Sequence, residues 1–524
     1  MYKLNKIWMS AAGACLFNFI FWHEKLGINA FLYDAFIIVS TFILYPEAKK
    51  NTTVRWLLLM QTICVGMVIM LNTLLSKIAL SLVLLLFIGF AEYVHRSILF
   101  AAGSLLLNTV LVFDSFPAEL QKREKSRKQT GLKKILLLSV IPVVIAFVFF
   151  LIYLASNSVL SDLTDDIASV IGDAFRNLFS WFSIGHFFFL VLGMYITGWL
   201  LLRSKSTFFS SKELKYKDHL ERRSRIFRTR TGNVRKDHKT RRTGTRLFPV
   251  MTGLKNENTI GIICLILLNS LLFLVNGIDI IYVWFNYGQQ KGINFSEEVH
   301  QGTELLIMSI LFAIFVLLVF FNGNLNFYTR NKWLKNLAYA WIIQNSVLVC
   351  SVLIRDFYYI EHFGLAYKRI GVLFFLASVL GGLLTVFIKI GWKKTNYYLF
   401  RVNAWIAASL LVIATIFSWD ELIANYNINH MNGARIDWQF LLSLSDKTIP
   451  ILERPVVLAK LHQAEGPGGG DHEVPDQSYF QKQLESRKDQ FLEEQKHYSW
   501  LSWNLSDKRL HQYLTTHIEP SPHR

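Results

Sequence analysis

Apolar runs, each closed by charged residues, recur near positions 7–22, 29–45, 55–73, 78–92, 97–113, 135–155, 184–202, 259–280, 303–321, 336–354, 369–390 and 400–418. About 20 apolar residues cross the hydrocarbon core as a helix, and only helices and closed barrels satisfy every backbone group there. Barrel strands would show as short alternating segments, which this sequence lacks. The expected fold is therefore all-α: a polytopic transmembrane bundle of 11 to 12 spans with a C-terminal helical tail. Composition agrees, since 52% of the 524 residues are hydrophobic and 18% are charged, where soluble domains carry about 25%.

Charge supplies the topology. Of the formal +18, segment 203–257 holds 17 Lys/Arg against 5 Asp/Glu, and segment 114–134 holds 7 against 3. Confinement of the excess to two loops follows the positive-inside rule and does not indicate nucleic acid. From residue 114 onward the loops alternate: "QKREKSRKQTGLKK" inside, "DLTDDIASVIGD" outside, the long basic loop inside, "NFSEEVHQG" outside, "RNKWLK" inside, "RDFYYIEHFG" outside and "KIGWKK" inside. The tail beyond 418 is then extracytoplasmic.

The first 113 residues disturb this order, because Lys49, Lys50 and Arg55 place the second loop inside. We expect eleven crossings plus a re-entrant piece between 78 and 113, broken at "AEYVHRS", where Glu92, His95 and Arg96 are tolerable in a protein-lined turn. The start "MYKLNKIWMSAAGACLFNFIFW" imitates a signal peptide but has too short an apolar lead, so an uncleaved first span is expected. Cys15, Cys64, Cys264 and Cys350 all lie in apolar runs without metal or redox spacing, as small core residues.

The chain thus divides into N-terminal spans (1–113), a basic cytoplasmic loop (114–134), a span pair (135–202), a polybasic cytoplasmic loop (203–257) and a C-terminal bundle (258–418). A tail helix (419–464), a Gly-rich linker (465–471) and an amphipathic tail (472–524) follow. In the last, Phe480, Leu484, Phe491, Tyr498, Leu501 and Leu505 recur at near-helical spacing. The bilayer is the first partner. Anionic lipid headgroups are the expected partner of 203–257, and an envelope protein that of 419–524.

Chemistry-bearing residues gather at outer helix ends. In "FSEEVHQGTELL", Glu297, His300 and Glu304 share one stripe of a helix, while Glu298 turns away. Glu297 and Glu298 suit the positive end of that helix. Asn269, Asn276 and Asp279 form a second stripe; Gln344, Ser351, Arg355, Tyr358 and His362 form a third. The expected polar cluster is Asp279, Glu297, His300, Glu304, Arg355, Asp356, Glu361 and Arg369, with His362 beside it. Arg355 is expected to pair with Glu304 or Asp279, because a lone charge at that depth is costly. His300 and Glu304 at i, i+4, completed by His362 and Glu361, form a candidate metal set. No nucleophile motif, phosphate cradle or cofactor fingerprint occurs. His186 reads as an interface histidine.

The stretches "EEVHQGTELLIMSILFA", "RDFYYIEHFGLAYKRIGVLFF" and "IDWQFLLSLSDKTIPIL" resemble a bacterial multi-pass membrane family known only as a domain of unknown function, over about 260–446. In that family a "VHxGxxxL" helix start precedes "YIxxYGLTxxR". The resemblance touches Val299, His300, Gly302, Leu305, Tyr359, Ile360, Gly364, Leu365 and Arg369, and departs at Phe363 and Ala366, where the pattern has Tyr and Thr. It implies a bacterial inner-membrane protein and no particular activity.

Three function classes follow. The first is a non-catalytic sensing or scaffolding component that recognises partners through its outer charged cluster and tail. The second is a transporter or ion-coupled permease with that cluster as vestibule, although no internal repeat is visible. The third is a membrane hydrolase or metal-dependent enzyme using Glu304 and His300.

Overall fold

A computed structural model describes residues 5–93, 95–124, 184–203, 206–222, 254–285, 295–321, 323–464 and 476–517. Among them the fold is all-helical, and the sole strand-like pairing is the isolated bridge between His219 and Lys394. The helices are α1 (Asn5–Phe21), α2 (Ile28–Leu44), α3 (Thr52–Met70), α4 (Leu74–Glu92), α5 (Ile98–Glu124), α6 (Ile184–Leu201), α7 (Phe208–Glu213), α8 (Leu254–Asp279), α9 (Phe295–Phe320), α10 (Lys332–Phe363), α11 (Tyr367–Gly391) and α12 (Asn396–Ala414). The tail adds α13 (Trp419–His430), α14 (Trp438–Ser443), α15 (Ile449–Leu452), α16 (Pro455–Ala464), α17 (Gln477–Lys496) and α18 (Leu505–His517).

Eleven of the twelve expected spans coincide with these helices, and the twelfth, 135–155, lies outside the described residues. Six described helices are long and apolar enough to cross a membrane: Thr52–Met70, Leu74–Glu92, Leu254–Trp284, Lys332–Phe363, Tyr367–Gly391 and Asn396–Ala414. Their starts are set locally. Asn51 Oδ1 accepts from Thr53 N (3.0 Å), Thr73 Oγ1 from Ser76 N (3.1 Å) and Thr395 Oγ1 from Tyr398 N (3.2 Å), each satisfying an amide that the helix leaves open.

Two apolar cores divide the bundle. One joins α1 to α6, with Ile37, Leu57, Val68, Phe87 and Leu201 buried; the other joins α8 to α11, with Leu265, Leu334, Val352 and Ile390 buried. Helix α12 bridges them, lending Val412 to the first and Leu399 to the second. Small residues allow the closest approach between α1 and α6: a side chain on Gly13 would overlap Thr197, and one on Gly193 would lie 2.8 Å from the Phe17 ring. Cys64 alone among the cysteines is fully buried; Cys15 and Cys350 are exposed on their helices, so they are not the core residues expected. His186 stacks on Trp22 with ring centroids 4.0 Å apart, at the α1–α6 interface as expected.

Contacts sort the connections into two ends. The tail end gathers 22–27, 71–73 and 364–366 with the tail helices: Ile28 N donates to Trp503 O (3.0 Å), Ser506 Oγ to Met70 O (3.2 Å) and Leu365 N to Asn427 Oδ1 (2.6 Å). The opposite end gathers 45–51, 95–97, 206–222, 323–331 and 392–395 with Tyr93, Arg203 and Phe321, and we call 206–222 the strap. The expected re-entrant piece is instead two antiparallel helices, α4 and α5, with Tyr93, His95, Arg96 and Ser97 between them. The strap supplies partners for His95 and Arg96, so the turn sits at a bundle end and need not fold back within the bilayer. Helix α5 runs through the expected boundary at 113 and antiparallel to α6, with Trp199 Nε1 donating to Leu105 O and Tyr195 Oη to Thr109 O, both at 3.1 Å. The two basic segments expected on one side therefore begin at opposite ends.

Beyond α12 the single expected tail helix is a cluster of short ones around buried Ile423, Trp438, Leu452 and Leu461. The linker 465–471 lies outside the described residues. Of the expected amphipathic face, Phe480, Leu484 and Phe491 are buried along α17, whereas Leu501 is buried in the turn beyond it and Tyr498 and Leu505 are half-buried.

Candidate functional site

The two polar stripes predicted on α8 and α10 face each other along parallel helices. Gln344 Nε2 donates to Asn269 Oδ1 (2.9 Å), Asn269 Nδ2 to Leu337 O (3.1 Å) and Asn276 Nδ2 to Gln344 O (3.0 Å). Toward the tail end Arg355 Nη2 donates to Asp279 Oδ1 at 2.6 Å, one of the two pairings expected for Arg355. The helix then widens into a π turn, Ile280–Trp284, from which Trp284 Nε1 reaches Ser351 Oγ (3.0 Å). Such a seam hides polar groups from lipid and fixes helix register.

Asp356, Glu361, His362 and Arg369 do not join this pair. Asp356, Glu361 and His362 lie on the last turns of α10 and Arg369 on the first turn of α11, either side of the turn that carries the "YIxxYGLTxxR"-like motif. Gly364 ends α10 with φ +79°, a left-handed conformation, and a side chain there would overlap Met431 and Asn427. Arg369 Nη1 donates to Phe363 O (2.9 Å) and Gly364 O, and its guanidinium lies 4.4 Å from the Tyr359 ring centroid. The arginine therefore caps the negative end of α10 and stacks on an aromatic face. Asn427 of α13 holds the turn from above, accepting from Leu365 N (2.6 Å) and donating to Leu365 O (3.0 Å). Asp356 is buried, whereas Glu361 is exposed.

The two departures from the family pattern have different consequences. Phe363 packs its ring 4.7 Å from that of Tyr359. Ala366 is the N-cap of α11 in extended geometry and supplies no capping side chain, which is the place a Thr hydroxyl would fill.

Glu297, His300 and Glu304 fall in the first turns of α9, but their side chains lie outside the described residues. The metal set of His300, Glu304, His362 and Glu361 is thus half outside, and no group of three or more His, Cys, Asp or Glu side chains assembles among the described residues.

The strap end holds a constellation that shows in the sequence only as a tolerable turn. His95 Nδ1 lies 2.6 Å from Glu213 Oε2, and His95 Nε2 lies 2.7 Å from Ser104 Oγ. Glu213 Oε1 accepts from Arg96 N (3.0 Å) and Tyr397 Oη (2.5 Å). Arg96 Nη2 (2.5 Å) and Arg401 Nη2 (3.0 Å) both donate to Asp218 Oδ2. Burial raises the Glu213 carboxyl, but hydrogen bonds from His95, Tyr397 and the Arg96 amide outweigh it, and its pKa falls below the ordinary value. The Ser104–His95–Glu213 order resembles a nucleophile relay. Ser104, His95 and Glu213 are nevertheless all buried, and Phe209 packs on the adjacent Gly103. The chemistry available is that of a clamp: backbone pairing of Leu220 N with Lys393 O (2.9 Å) and Thr395 N with Asp218 O (3.0 Å) completes the attachment of the strap to both halves. No sequence signal links the two stretches: "AEYVHRS" is neutral, "SSKELKYKDHL" is net positive, and no periodicity connects them.

At the tail end, Lys447 Nζ donates to Leu71 O and to Asn72 O (3.0 Å), closing the C-terminus of α3. Lys25 Nζ pairs with Glu494 Oε2 at 2.5 Å. The tail thereby holds the N-terminal half through 22–28 and 70–73 and the C-terminal half through 364–369.

No curated protein and no solved structure matches this chain. The model of one family matches residues 34–454, a span that contains the second core, most of the first, the strap, the α10–α11 turn and the first tail helices. The chain is a multi-pass membrane protein that belongs to the family described as Domain of unknown function (DUF4153).

Proposed function

We propose that this chain is a non-catalytic sensing or scaffolding component of a bacterial inner membrane, which presents its tail as an extracytoplasmic recognition surface. The observation that carries the reading is the fastening of the two halves at both ends. Transport by alternating access needs one repeat or bundle to rock against another about a central site. Here the strap joins the α4–α5 turn to the α11–α12 turn through Asp218 and Glu213, while the tail joins the α3–α4 and α10–α11 turns through Lys447 and Asn427. Rocking would break one set of these bonds in each half-cycle.

Charge supports the orientation. The strap end carries Lys6, Lys49, Lys50, Arg55, Arg203, Lys393 and Lys394 beside the arginines of the clamp. An excess of Lys/Arg next to span ends favours the cytoplasmic side. The tail end is then extracytoplasmic, an orientation that leaves the start of the basic segment 114–134, expected inside, on that same side.

Two measurements test the proposal. Reporter fusions at 225 and 480 are expected to give cytoplasmic and extracytoplasmic signals, and swapped signals would reverse the topology. Proteoliposomes of the full chain are expected to hold proton and sodium gradients as tightly as protein-free vesicles. A gradient-driven flux that depends on the protein would replace this reading with the permease.

A further inference from the structure

The strap carries apolar side chains that its own fold leaves open. Leu214 is 78% exposed and Phe208 about half exposed, on a segment whose other side is clamped through Glu213 and Asp218, with Tyr216 stacked on Tyr397. Apolar groups in water on a short charged segment mark a contact surface. Basic residues alternate with them: Lys212 Nζ sits 4.0 Å from the Phe208 ring centroid, and Lys215 is exposed beside Leu214.

The height of this face is fixed. The strap pairs with the α11–α12 turn at Lys393 and Thr395 and with the α4–α5 turn at Arg96, so it lies level with the ends of apolar helices. Trp333 and Trp392, at the same end, are 72% and 67% exposed, in the manner of interfacial tryptophans. An apolar and basic face at that level fits one partner, an anionic phospholipid surface, because acyl chains receive the apolar groups while headgroup phosphates receive the lysines.

The geometry points to the strap as an interfacial anionic-lipid anchor: Leu214 and Phe208 enter the headgroup–acyl boundary, and Lys212 and Lys215 bind phosphates. This holds whether the protein is a scaffold or a permease.

The test uses the full chain in nanodiscs of phosphatidylglycerol mixed with phosphatidylcholine, or of phosphatidylcholine alone. A photo-activated benzophenone side chain at position 214 is expected to form phospholipid adducts, read by mass. Adducts only to protein, or no adduct at all, would overturn the proposal. Apparent affinity for phosphatidylglycerol is expected to fall about twenty-five-fold in K212Q/K215Q, from roughly fivefold per lysine. Affinity retained within about twofold would overturn the electrostatic part. Both positions are exposed, so circular dichroism of the variants checks that folding is kept.

Discussion

Arg355 Nη2 meets Asp279 Oδ1 across 2.6 Å and locks α8 to α10 near the tail end of the bundle. The contact is single-pronged, since Asp279 Oδ2 and Arg355 Nη1 have no hydrogen-bond partner among the described residues. Both side chains are largely buried, so each charge depends on the other.

Removing one partner is therefore expected to cost more than removing both. Asp279→Ala or Arg355→Ala should each destabilise the bundle by about 3 kcal/mol, whereas Asp279→Leu with Arg355→Met should recover most of that loss. Thermal unfolding in detergent, arranged as a double-mutant cycle, reads the coupling; additive losses would contradict it.

The α10–α11 turn offers a gain and a loss. Ala366→Thr restores an N-cap hydroxyl at an extended residue and is expected to stabilise by about 1 kcal/mol. Gly364→Ala is expected to destabilise by roughly 1–3 kcal/mol, because φ is +79° and the new methyl meets Met431 and Asn427. Melting temperature and protease release of the tail check both.

The strap clamp should be acid-sensitive. Glu213 has a folded pKa below its ordinary value, so the stability it contributes is present above that ordinary value and is lost as pH falls through the folded one. Amide exchange across 206–222 is expected to accelerate in that acid range. Glu213→Gln should remove the acid step and leave exchange fast throughout; an unchanged profile would contradict the assignment.

The helices are legible in the sequence because the bilayer demands long apolar runs, and even the α8–α10 seam is visible as facing stripes. Arg355 finds Asp279 because only complementary charge at equal depth is tolerated. The clamp of His95 on Glu213 is not legible: 118 residues separate them in the chain, and their pairing depends on how α5 and the strap meet. The motif arginine, Arg369, looks like part of a charged site because its acceptors are backbone carbonyls, which no sequence pattern displays.

Fastening of the two halves at both ends is open to direct measurement. Spin labels at Leu74 and Glu361 on the tail end, and at Lys49 and Arg330 on the strap end, all exposed positions, report the separation of the halves. Pulsed electron–electron distances in nanodiscs should give one narrow distribution at each end, unchanged by pH or sodium. Distances that lengthen at one end while shortening at the other would contradict the account.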